Sequence, residues 1–372
     1  MIDTIGFYNY LCKKNLDFFV GVPDSLLKEL CSCIKDNTKS TNNIIAANEG
    51  NAVGICSGYH LSTGKFGVLY MQNSGLGNTI NPLLSLADEE VYGIPMLLII
   101  GWRGEPGVHD EPQHVKQGKV TLSILDTIGI EYLVCNDNYQ DQIDYCYDYM
   151  KKNGKSIALI IKKGTFSNYP SKTNSCEFTL TREESLKAII SKLNNNDFVV
   201  STTGKTSREI FEIREQNKQT HENDFLTVGS MGHTASIAFG MSIGTKKNIY
   251  CIDGDGSFIM HMGGFAVIAQ NAQSNFHYIM INNGSHESVG GQPTVAFDID
   301  IVKILLGCGF KKVFCAKSEK DIFLGMEKIN SNPLSALIIF TKQGSRDNLG
   351  RPSTSPKENK IALMTKILTN VK

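Results

Sequence analysis

Short, continuous apolar runs that alternate with longer segments of helical periodicity constrain the fold of this chain more than any other feature. They predict ten strands, at residues 18–21, 44–47, 67–71, 96–100, 158–161, 198–201, 249–252, 278–281, 312–315 and 336–340. Many of these runs are followed closely by Gly, Asn, Asp or Ser. Strands that are apolar on both faces and alternate with helices are typical of parallel sheets covered on both sides. The pattern therefore predicts an α/β protein with doubly wound parallel sheets.

A polar segment over residues 163–182 divides this pattern into two halves of similar size. It contains Pro170 and shows no sustained apolar period, which is typical of a linker. We therefore expect a first domain over residues 1–165, a linker over 166–183 and a second domain over 184–372. The ends of the two halves resemble each other, which indicates either duplication or a chance similarity between two buried strands.

Charge and cysteine usage narrow the class of protein. Lys plus Arg and Asp plus Glu each number 37, and this neutral balance argues against a broad nucleic-acid surface, which needs to be basic. The ten cysteines form no C-x-x-C pair, as expected of buried, reduced thiols in a cytoplasmic protein. The N-terminus shows no signal peptide, and no apolar run approaches the roughly 20 residues that a membrane span needs. We therefore expect a cytoplasmic protein that binds neither nucleic acid nor membrane.

The sharpest local signal is the segment Ile-Asp-Gly-Asp-Gly-Ser-Phe at residues 252–258, between a predicted strand and a helical pattern that continues through Gln270. A second strand runs directly into the pair Asn282-Asn283, and Asn283 lies 28 residues after Asp255. One helix and one strand fill that separation, so both strand ends should meet at the carboxyl edge of a parallel sheet. Open α/β sheets bind their ligands at this edge.

Oxygen donors at this edge suit a hard divalent cation such as Mg²⁺. The Asp255 carboxylate and the Asn283 amide would supply two ligands, and the backbone carbonyl of Ser285 a third. Asn282 remains the alternative source of the amide. The phosphate oxygens of a ligand and a water molecule would complete the coordination.

Glycines beside these ligands are suited to a phosphate group. Gly254 and Gly256 would let the backbone approach the phosphates, and a helix starting near Ser257 would direct N–H groups at them. An isolated Asp-Gly-Asp-Gly sequence is more often an ordinary turn. The strands and the Asn-Asn pair around this one favour a metal and diphosphate site.

This arrangement resembles the thiamine-diphosphate-dependent enzymes, whose Gly-Asp-Gly motif is followed one helix and one strand later by Asn-Asn or Asp-Asn. The resemblance implies a pyrimidine-binding (PYR) domain, then a diphosphate-binding (PP) domain, and no middle domain, because the linker is too short to hold one. It also implies thiamine diphosphate and Mg²⁺ as cofactors. In this family the cofactor lies between the first domain of one chain and the second domain of another, so we expect a homodimer or a higher oligomer.

The same resemblance implies that Glu49 is the carboxylate that activates the aminopyrimidine ring of the cofactor. Glu49 lies where a strand ends and an Ala/Gly-rich helix over residues 50–64 begins. A glutamate here is also favoured by the helix dipole alone. The resemblance also implies three loops as cofactor contacts: Gly229, Ser230 and Met231; Thr203, Gly204 and Lys205; and Asn73 and Asn78. In the first loop Met231 would prop the bent cofactor. The alternatives are that these loops are plain turns and that Met231 only packs in the core.

Within the family the chain most resembles the phosphonopyruvate decarboxylases, with the sulfopyruvate decarboxylases next, over segments 21–25, 102–114, 283–292 and 344–352. The implied substrate is the small anionic 2-oxo acid 3-phosphonopyruvate, decarboxylated to phosphonoacetaldehyde in phosphonate biosynthesis. For proton transfer the resemblance points to His286 and Glu287. For substrate binding it points to Asp24, Ser25, Arg103, His109, His114, Arg346 and Arg351, although loop histidines and tail arginines are also ordinary surface residues.

Three other functions remain open. A sulfopyruvate decarboxylase would share every cofactor residue, and another 2-oxo acid decarboxylase is a further alternative. A non-catalytic regulatory subunit of a thiamine enzyme would lack one half of the motif set, whereas Glu49 and the Asp255/Asn283 pair are both present. A dinucleotide-binding dehydrogenase is disfavoured, because no G-x-G-x-x-G follows the first strand.

Overall fold

The computed structural model describes residues 1–170 and 177–369. Its contacts divide the chain into two units, Met1–Thr173 with Val289–Gln292, and Asn174–Ser288 with Pro293–Lys372. Part of the linker expected over residues 166–183 lies outside the described residues. At its near end Ile2 forms a β-bridge with Phe166, and at its far end a helix begins at Arg182 with a capping box formed by Thr181 and Glu184.

The first unit is a six-stranded parallel sheet with helices packed against it. Its strands are β1 (Phe19–Gly21), β2 (Asn43–Ile45), β3 (Gly67–Gln72), β4 (Met96–Gly101), β5 (Glu131–Val134) and β6 (Ile157–Ile161). Its helices are α1 (Thr4–Lys13), α2 (Lys28–Asn37), α3 (Glu49–Thr63), α4 (Leu76–Pro82), α5 (Pro112–Thr127) and α6 (Tyr139–Asn153), with a 3-10 turn at Asn73–Gly75 and a π-helical turn at Leu83–Ala87. The strand order is β2-β1-β3-β4-β6-β5, so the chain reverses direction across the sheet between β1 and β3. Ligand sites of open sheets form at such switch points.

The second unit has the same strand order, β8-β7-β9-β10-β14-β13, and its pairings are also parallel. Its strands are β7 (Phe198–Ser201), β8 (Asp224–Leu226), β9 (Ile249–Gly254), β10 (Phe276–Asn282), β13 (Lys312–Ala316) and β14 (Ser335–Phe340), and the short strands β11 (Ser285–His286) and β12 (Gln292–Pro293) lie between β10 and β13 in sequence. Its helices are α7 (Arg182–Ser191), α8 (Lys205–Gln216), α9 (Thr234–Gly244), α10 (Asp255–Met260), α11 (Gly264–Asn271), α12 (Ile301–Cys308), α13 (Glu319–Ser331) and α14 (Pro356–Thr369). None of the helices in the described part of the chain has both the length and the apolar character needed to cross a membrane.

Each sheet buries both of its faces. In β3, Val68 and Tyr70 belong to one hydrophobic cluster and Leu69 and Met71 to another, because successive side chains of a strand point to opposite faces. The strand β10 of the second unit divides its side chains in the same way. The prediction of two doubly wound parallel sheets is confirmed, and it followed from the continuous apolar runs.

Four strands were not predicted: the two-residue strands β11 and β12, and the strands β5 and β8, which lie at edges of the two large sheets. All four residues of β5 are only half-buried, so they do not form a continuous apolar run. The strand β8 begins at Asp224, whose carboxylate forms a bidentate ion pair with Arg214. Charge and partial exposure hide such strands from a search for apolar runs.

The helix expected to start near Ser257 starts two residues earlier, but the prediction that it continues through Gln270 is wrong. It begins at Asp255, ends at Met260, and resumes only as α11. The glycine pair Gly263-Gly264 lies at the interruption, and glycine is about 1 kcal/mol less favourable than alanine within a helix.

His277 in β10 gives the second unit a pH-dependent stability. It is buried and stacks on Tyr250, with ring centroids 4.7 Å apart, and burial lowers the pKa of His277 to about 4. An unfolded histidine titrates near 6.5, so the unfolded chain binds the extra proton between about pH 6.5 and pH 4. This stability is therefore present above pH 6.5 and is lost as the pH falls towards 4.

We expect the free energy of unfolding of the wild type to fall by about 2 kcal/mol more than that of His277→Phe between pH 8 and pH 5. Urea unfolding of both proteins at the two pH values measures the difference, since all other titrating groups are shared. An equal loss in both proteins would show that His277 is not the group responsible.

Candidate active site

The loops after β7, β8 and β9 meet at the carboxyl edge of the second sheet. The N–H of Gly229 donates to the Thr203 hydroxyl over 2.9 Å, and the N–H of Gly232 donates to the Ser257 hydroxyl over 3.1 Å. Three segments that the sequence assigned to cofactor binding are thereby held together, on both sides of the switch point between β7 and β9.

Asp255 is the first residue of α10 and is only 3% exposed. Burial raises the pKa of its carboxyl group to about 6, and hydrogen bonds from the Thr294 hydroxyl and from the backbone N–H groups of Gly256 and Asn283 oppose that rise. The N–H of Asn283 brings the end of β10 against this carboxylate. The donors are neutral, so the buried negative charge would be compensated by a bound cation.

The two asparagines at the end of β10 have different surroundings. Asn282 is fully buried, accepts the N–H of Gly284 over 3.1 Å and donates to a backbone carbonyl over 3.3 Å. Asn283 accepts the N–H of Ser285 over 3.0 Å and donates to Glu287 over 2.9 Å. Asn282 therefore supports the turn, and Asn283 is the better placed of the two to share a cation with Asp255.

The residues around Asp255 fit a divalent cation and a diphosphate. Asp255 and Asn283 provide oxygen donors, which Mg²⁺ prefers. A Cβ added at Gly254 would come no nearer than 3.9 Å to another side chain, so the backbone is open there. At Gly256 a Cβ would lie 2.9 Å from the ring of His286, so this glycine is required by side-chain packing as well.

Left-handed backbone is concentrated in the neighbouring loops. Gly204 has φ +92°, Gly229 has φ +75° and Gly232 has φ +91°. Ser230 has φ +48°, a conformation that is uncommon outside glycine and often marks a functional loop. Consecutive residues of this kind expose N–H groups that suit an anion. Met231 lies in the same loop and is half-buried.

His286 is a buried residue beside the cation ligands. Burial lowers the pKa of His286 to about 4, so the ring is neutral at neutral pH. A neutral imidazole can accept a proton or donate its N–H in a hydrogen bond, but it does not act as a cationic acid.

Glu287 forms ion pairs with Arg182 over 2.9 Å and with Lys205 over 3.0 Å. Burial raises the pKa of Glu287, but these two cations outweigh it and leave the pKa below its ordinary value. The contacts suit a permanent carboxylate better than the proton-transfer group that the resemblance implied. The pair Arg182–Glu287 spans 105 residues of sequence and gave no local signal.

In the first unit, Glu49 begins α3 and is 5% exposed. Asn48 caps this helix by accepting the N–H of Asn51, which fixes where the helix starts. The Glu49 carboxylate accepts the Asn78 amide over 2.7 Å. A Cβ on Gly75 would lie 2.5 Å from that carboxylate, so Gly75 is needed for this arrangement and was not predicted.

The hydrogen bonds of Asn73 join it to Arg103 and Thr121. It is 1% exposed, and its amide donates to the backbone carbonyl of Arg103 and to the Thr121 hydroxyl, each over 2.8 Å. It also accepts the N–H of Arg103 over 3.2 Å. Its contacts position the chain after β4 and leave no donor for a cofactor.

Five polar residues form a cluster after β1 and β4. Arg103 donates to the Ser25 hydroxyl over 2.6 Å and to Asp110 through both sides of its guanidinium group. Burial raises the pKa of Asp24 to about 6, against the opposing charge of Arg103. Burial, followed by the charge of Arg103, lowers the pKa of His114. We term Asp24, Ser25, Arg103, Asp110 and His114 the arginine cluster.

The sequence did not single out Asp110, although an acidic residue seven positions after Arg103 in a polar loop is a usable signal. His109 lies in the same loop but is exposed. Arg346 forms ion pairs with Glu183 over 2.9 Å and with Glu212, so its guanidinium is occupied within the unit. Arg351 is exposed.

Two family models match the chain. They describe the N-terminal TPP binding domain of thiamine pyrophosphate enzymes, over residues 6–130, and the C-terminal TPP binding domain of the same enzymes, over residues 202–340. The first covers β1 to β4 and the second β8 to β14, in the order expected for the PYR and PP domains.

Two curated relatives align over nearly the whole chain, and a third aligns over half of it. A phosphonopyruvate decarboxylase of Streptomyces hygroscopicus is 30% identical over 91% of this chain and 87% of its own length. A sulfopyruvate decarboxylase of Methanosarcina acetivorans is 27% identical over 93% of this chain and 92% of its own length. A sulfopyruvate decarboxylase subunit beta of Methanococcus maripaludis is 31% identical over 50% of this chain and 98% of its own length.

Proposed function

This chain belongs to the thiamine-pyrophosphate-dependent decarboxylases, which are carboxy-lyases, and on that premise we propose that it converts 3-phosphonopyruvate to phosphonoacetaldehyde and CO₂ in an Mg²⁺-dependent reaction. The observation that carries the proposal is the buried pair of oxygen donors, Asp255 and Asn283, at the switch point of a chain that resembles phosphonopyruvate decarboxylases along most of its length. The family supports thiamine diphosphate as the cofactor.

Each unit contributes a separate part of the proposed chemistry. Asp255, Asn283 and the carbonyl of Ser285 would hold the cation and, through it, the diphosphate. Glu49, fixed by Asn78, would share a proton with the aminopyrimidine nitrogen. Thiamine diphosphate, when bound, supplies the electron sink for the electrons released as CO₂ leaves.

The arginine cluster supports an anionic substrate. Arg103 brings guanidinium N–H donors, which Asp110 and Ser25 hold in place in this structure, and Ser25 brings a hydroxyl; both kinds of group suit phosphonate or carboxylate oxygens. The carbon that loses CO₂ must gain a proton. Asp24 is suited to supply it, because a carboxyl group with a pKa of about 6 is partly protonated near neutral pH. Neutral His286 is the second candidate for moving a proton.

Self-association is proposed as well. The helix α3, which begins at Glu49, exposes Ile55 and 72% of Leu61, and α9 of the second unit exposes 58% of Ile243. Exposed apolar side chains on helices beside the sites suit an interface between subunits. One related protein is named as sulfopyruvate decarboxylase subunit beta. We expect a homodimer or a higher oligomer in sedimentation velocity, and an active monomer would contradict this.

Sulfopyruvate is the second candidate substrate, because the similarity to a sulfopyruvate decarboxylase covers 93% of this chain. The deciding experiment is CO₂ release from phosphonopyruvate, sulfopyruvate and pyruvate with thiamine diphosphate and Mg²⁺. We expect kcat/KM to be about 100-fold higher for phosphonopyruvate than for pyruvate, since charged hydrogen bonds contribute about 1.5–3 kcal/mol each. A higher kcat/KM for sulfopyruvate would overturn the substrate assignment.

The double variant Arg103→Met/Asp110→Asn tests whether the arginine cluster recognises the second anionic group. It removes both charges together, so neither is left buried and unpaired. We expect kcat/KM to fall about 100-fold for phosphonopyruvate and by a much smaller factor for pyruvate, which lacks that group. Equal losses of kcat/KM for the two substrates would show that the arginine cluster does not bind the second anionic group.

A further inference from the structure

We propose that Glu287 is a positioning residue that orients the amide of Asn283 towards the cation, and that Arg182 and Lys205 hold Glu287 in place for this purpose. The inference rests on the proposed function, because it needs a cation at Asp255 and Asn283. It assigns Glu287 a task other than proton transfer.

Glu287 lies at the centre of four donors from four parts of the second unit. Its Oε2 accepts from Arg182 Nη1 and Asn283 Nδ2, each over 2.9 Å, and from the N–H of Gly344 over 3.2 Å. Its Oε1 accepts from Lys205 Nζ over 3.0 Å. These donors come from the start of α7, the start of α8, the loop after β10 and the loop after β14, so the carboxylate is fixed from several directions.

The charges of this group balance. Arg182 also forms a bidentate pair with Glu209, with both contacts at 2.7 Å, and the two side chains are 6% and 1% exposed. Two cations therefore face two carboxylates, and three of the four side chains are largely buried, while that of Lys205 is 29% exposed. Buried charges persist where they are paired and hydrogen-bonded in this way. A rigid, neutral group of this kind is suited to holding one neighbouring polar side chain in a single orientation.

That neighbour is Asn283, whose amide has two distinct ends. If the amide flipped, it would present N–H groups to a cation, which repels them. The carboxylate of Glu287 accepts from Nδ2, so only Oδ1 faces the opposite side. There Oδ1 accepts the N–H of Ser285 over 3.0 Å and keeps a second lone pair for a metal ligand bond. Partners outside the coordination sphere commonly orient metal ligands in this manner.

The test is calorimetric titration of the full chain with Mg²⁺ at saturating thiamine diphosphate, repeated with Mn²⁺ by electron paramagnetic resonance. We expect Glu287→Ala to weaken cation affinity about 10- to 100-fold, the usual effect of losing such a partner. Because only ligation is impaired, excess Mg²⁺ should restore cofactor binding. Asp224→Ala is the control, since Asp224 is also a carboxylate paired with an arginine of the same unit, through two contacts with Arg214, and is buried more deeply than Glu287. It should lower the melting temperature and leave cation affinity unchanged.

A second background separates orientation from general stability. In Asn283→Asp both ends of the side chain are oxygens, so there is nothing left to orient, and the new carboxylate would face Glu287 at the distance now occupied by a hydrogen bond. Adding Glu287→Ala to Asn283→Asp should then strengthen cation binding, the reverse of its effect in the wild type. If Glu287→Ala weakened cation binding equally in both backgrounds, or left the affinity of the wild type unchanged, the role assigned to Glu287 would be overturned and the proposed function would stand. A wild-type protein that binds no cation would overturn the proposed function and this assignment together.

Discussion

Glu49→Gln is expected to lower kcat about 10³-fold, which lies in the usual range of rate loss when a proton-transfer group is removed. The affinity for thiamine diphosphate should stay within about threefold of that of the wild type. Glutamine cannot share a proton with the aminopyrimidine nitrogen. Its carbonyl can still accept the hydrogen bond from Asn78, and it occupies the same space against Gly75. The substitution therefore removes the acid–base function of the side chain and keeps its packing.

Two measurements are needed for Glu49→Gln, the rate of CO₂ release from 3-phosphonopyruvate and the calorimetric affinity for thiamine diphosphate. Glu29→Gln is the control, because it changes charge by the same amount on the half-buried first turn of α2 in the same unit. The control should keep full activity. A rate for Glu49→Gln within about threefold of the wild type would remove Glu49 from the proposed chemistry.

The sequence predicted those parts of the site that lie close to strand ends. Asp255 and Asn283 are separated by one helix and one strand, a spacing that places both at one sheet edge whatever the details of packing. Glu49, which the resemblance to the family implied, also lies at the junction of a strand and a helix. Such positions are set by local pattern and topology, which a single sequence displays.

Interactions between distant segments were not predictable in this way. Arg182 pairs with Glu209 and Glu287, and Arg346 pairs with Glu183 and Glu212, across separations that carry no periodic signal. The inward orientation of Asn73 is another example, because the sequence shows an amide in a loop but not which backbone groups will bind it. Side-chain direction depends on the tertiary fold, and charged residues that read as solvent-exposed or substrate-binding turn out to join elements of the protein itself.

Asp255→Ala should abolish the Mg²⁺ dependence of thiamine diphosphate binding, with a loss of cation affinity of at least about 100-fold. The carboxylate is the charged ligand of the pair, and the amide oxygen of Asn283 alone offers a hard cation only a dipole. Calorimetric titrations with excess Mg²⁺ and with a chelator should then give the same weak cofactor affinity. Retained tight, Mg²⁺-dependent binding would refute the ligand assignment.

The same carboxylate should have the opposite effect on the stability of the cation-free protein. Asp255 is buried with neutral donors, so in the absence of a cation its charge is costly. Asp255→Asn keeps the shape and removes the charge, and we expect it to melt roughly 3 °C or more above the wild type in chelator at pH 8. With Mg²⁺ and thiamine diphosphate the order should reverse, because only the wild type gains stability from binding. If Asp255 served only in packing, its substitution would lower the melting temperature under both conditions. The reversal therefore identifies Asp255 as a residue whose stabilising contribution depends on its ligand.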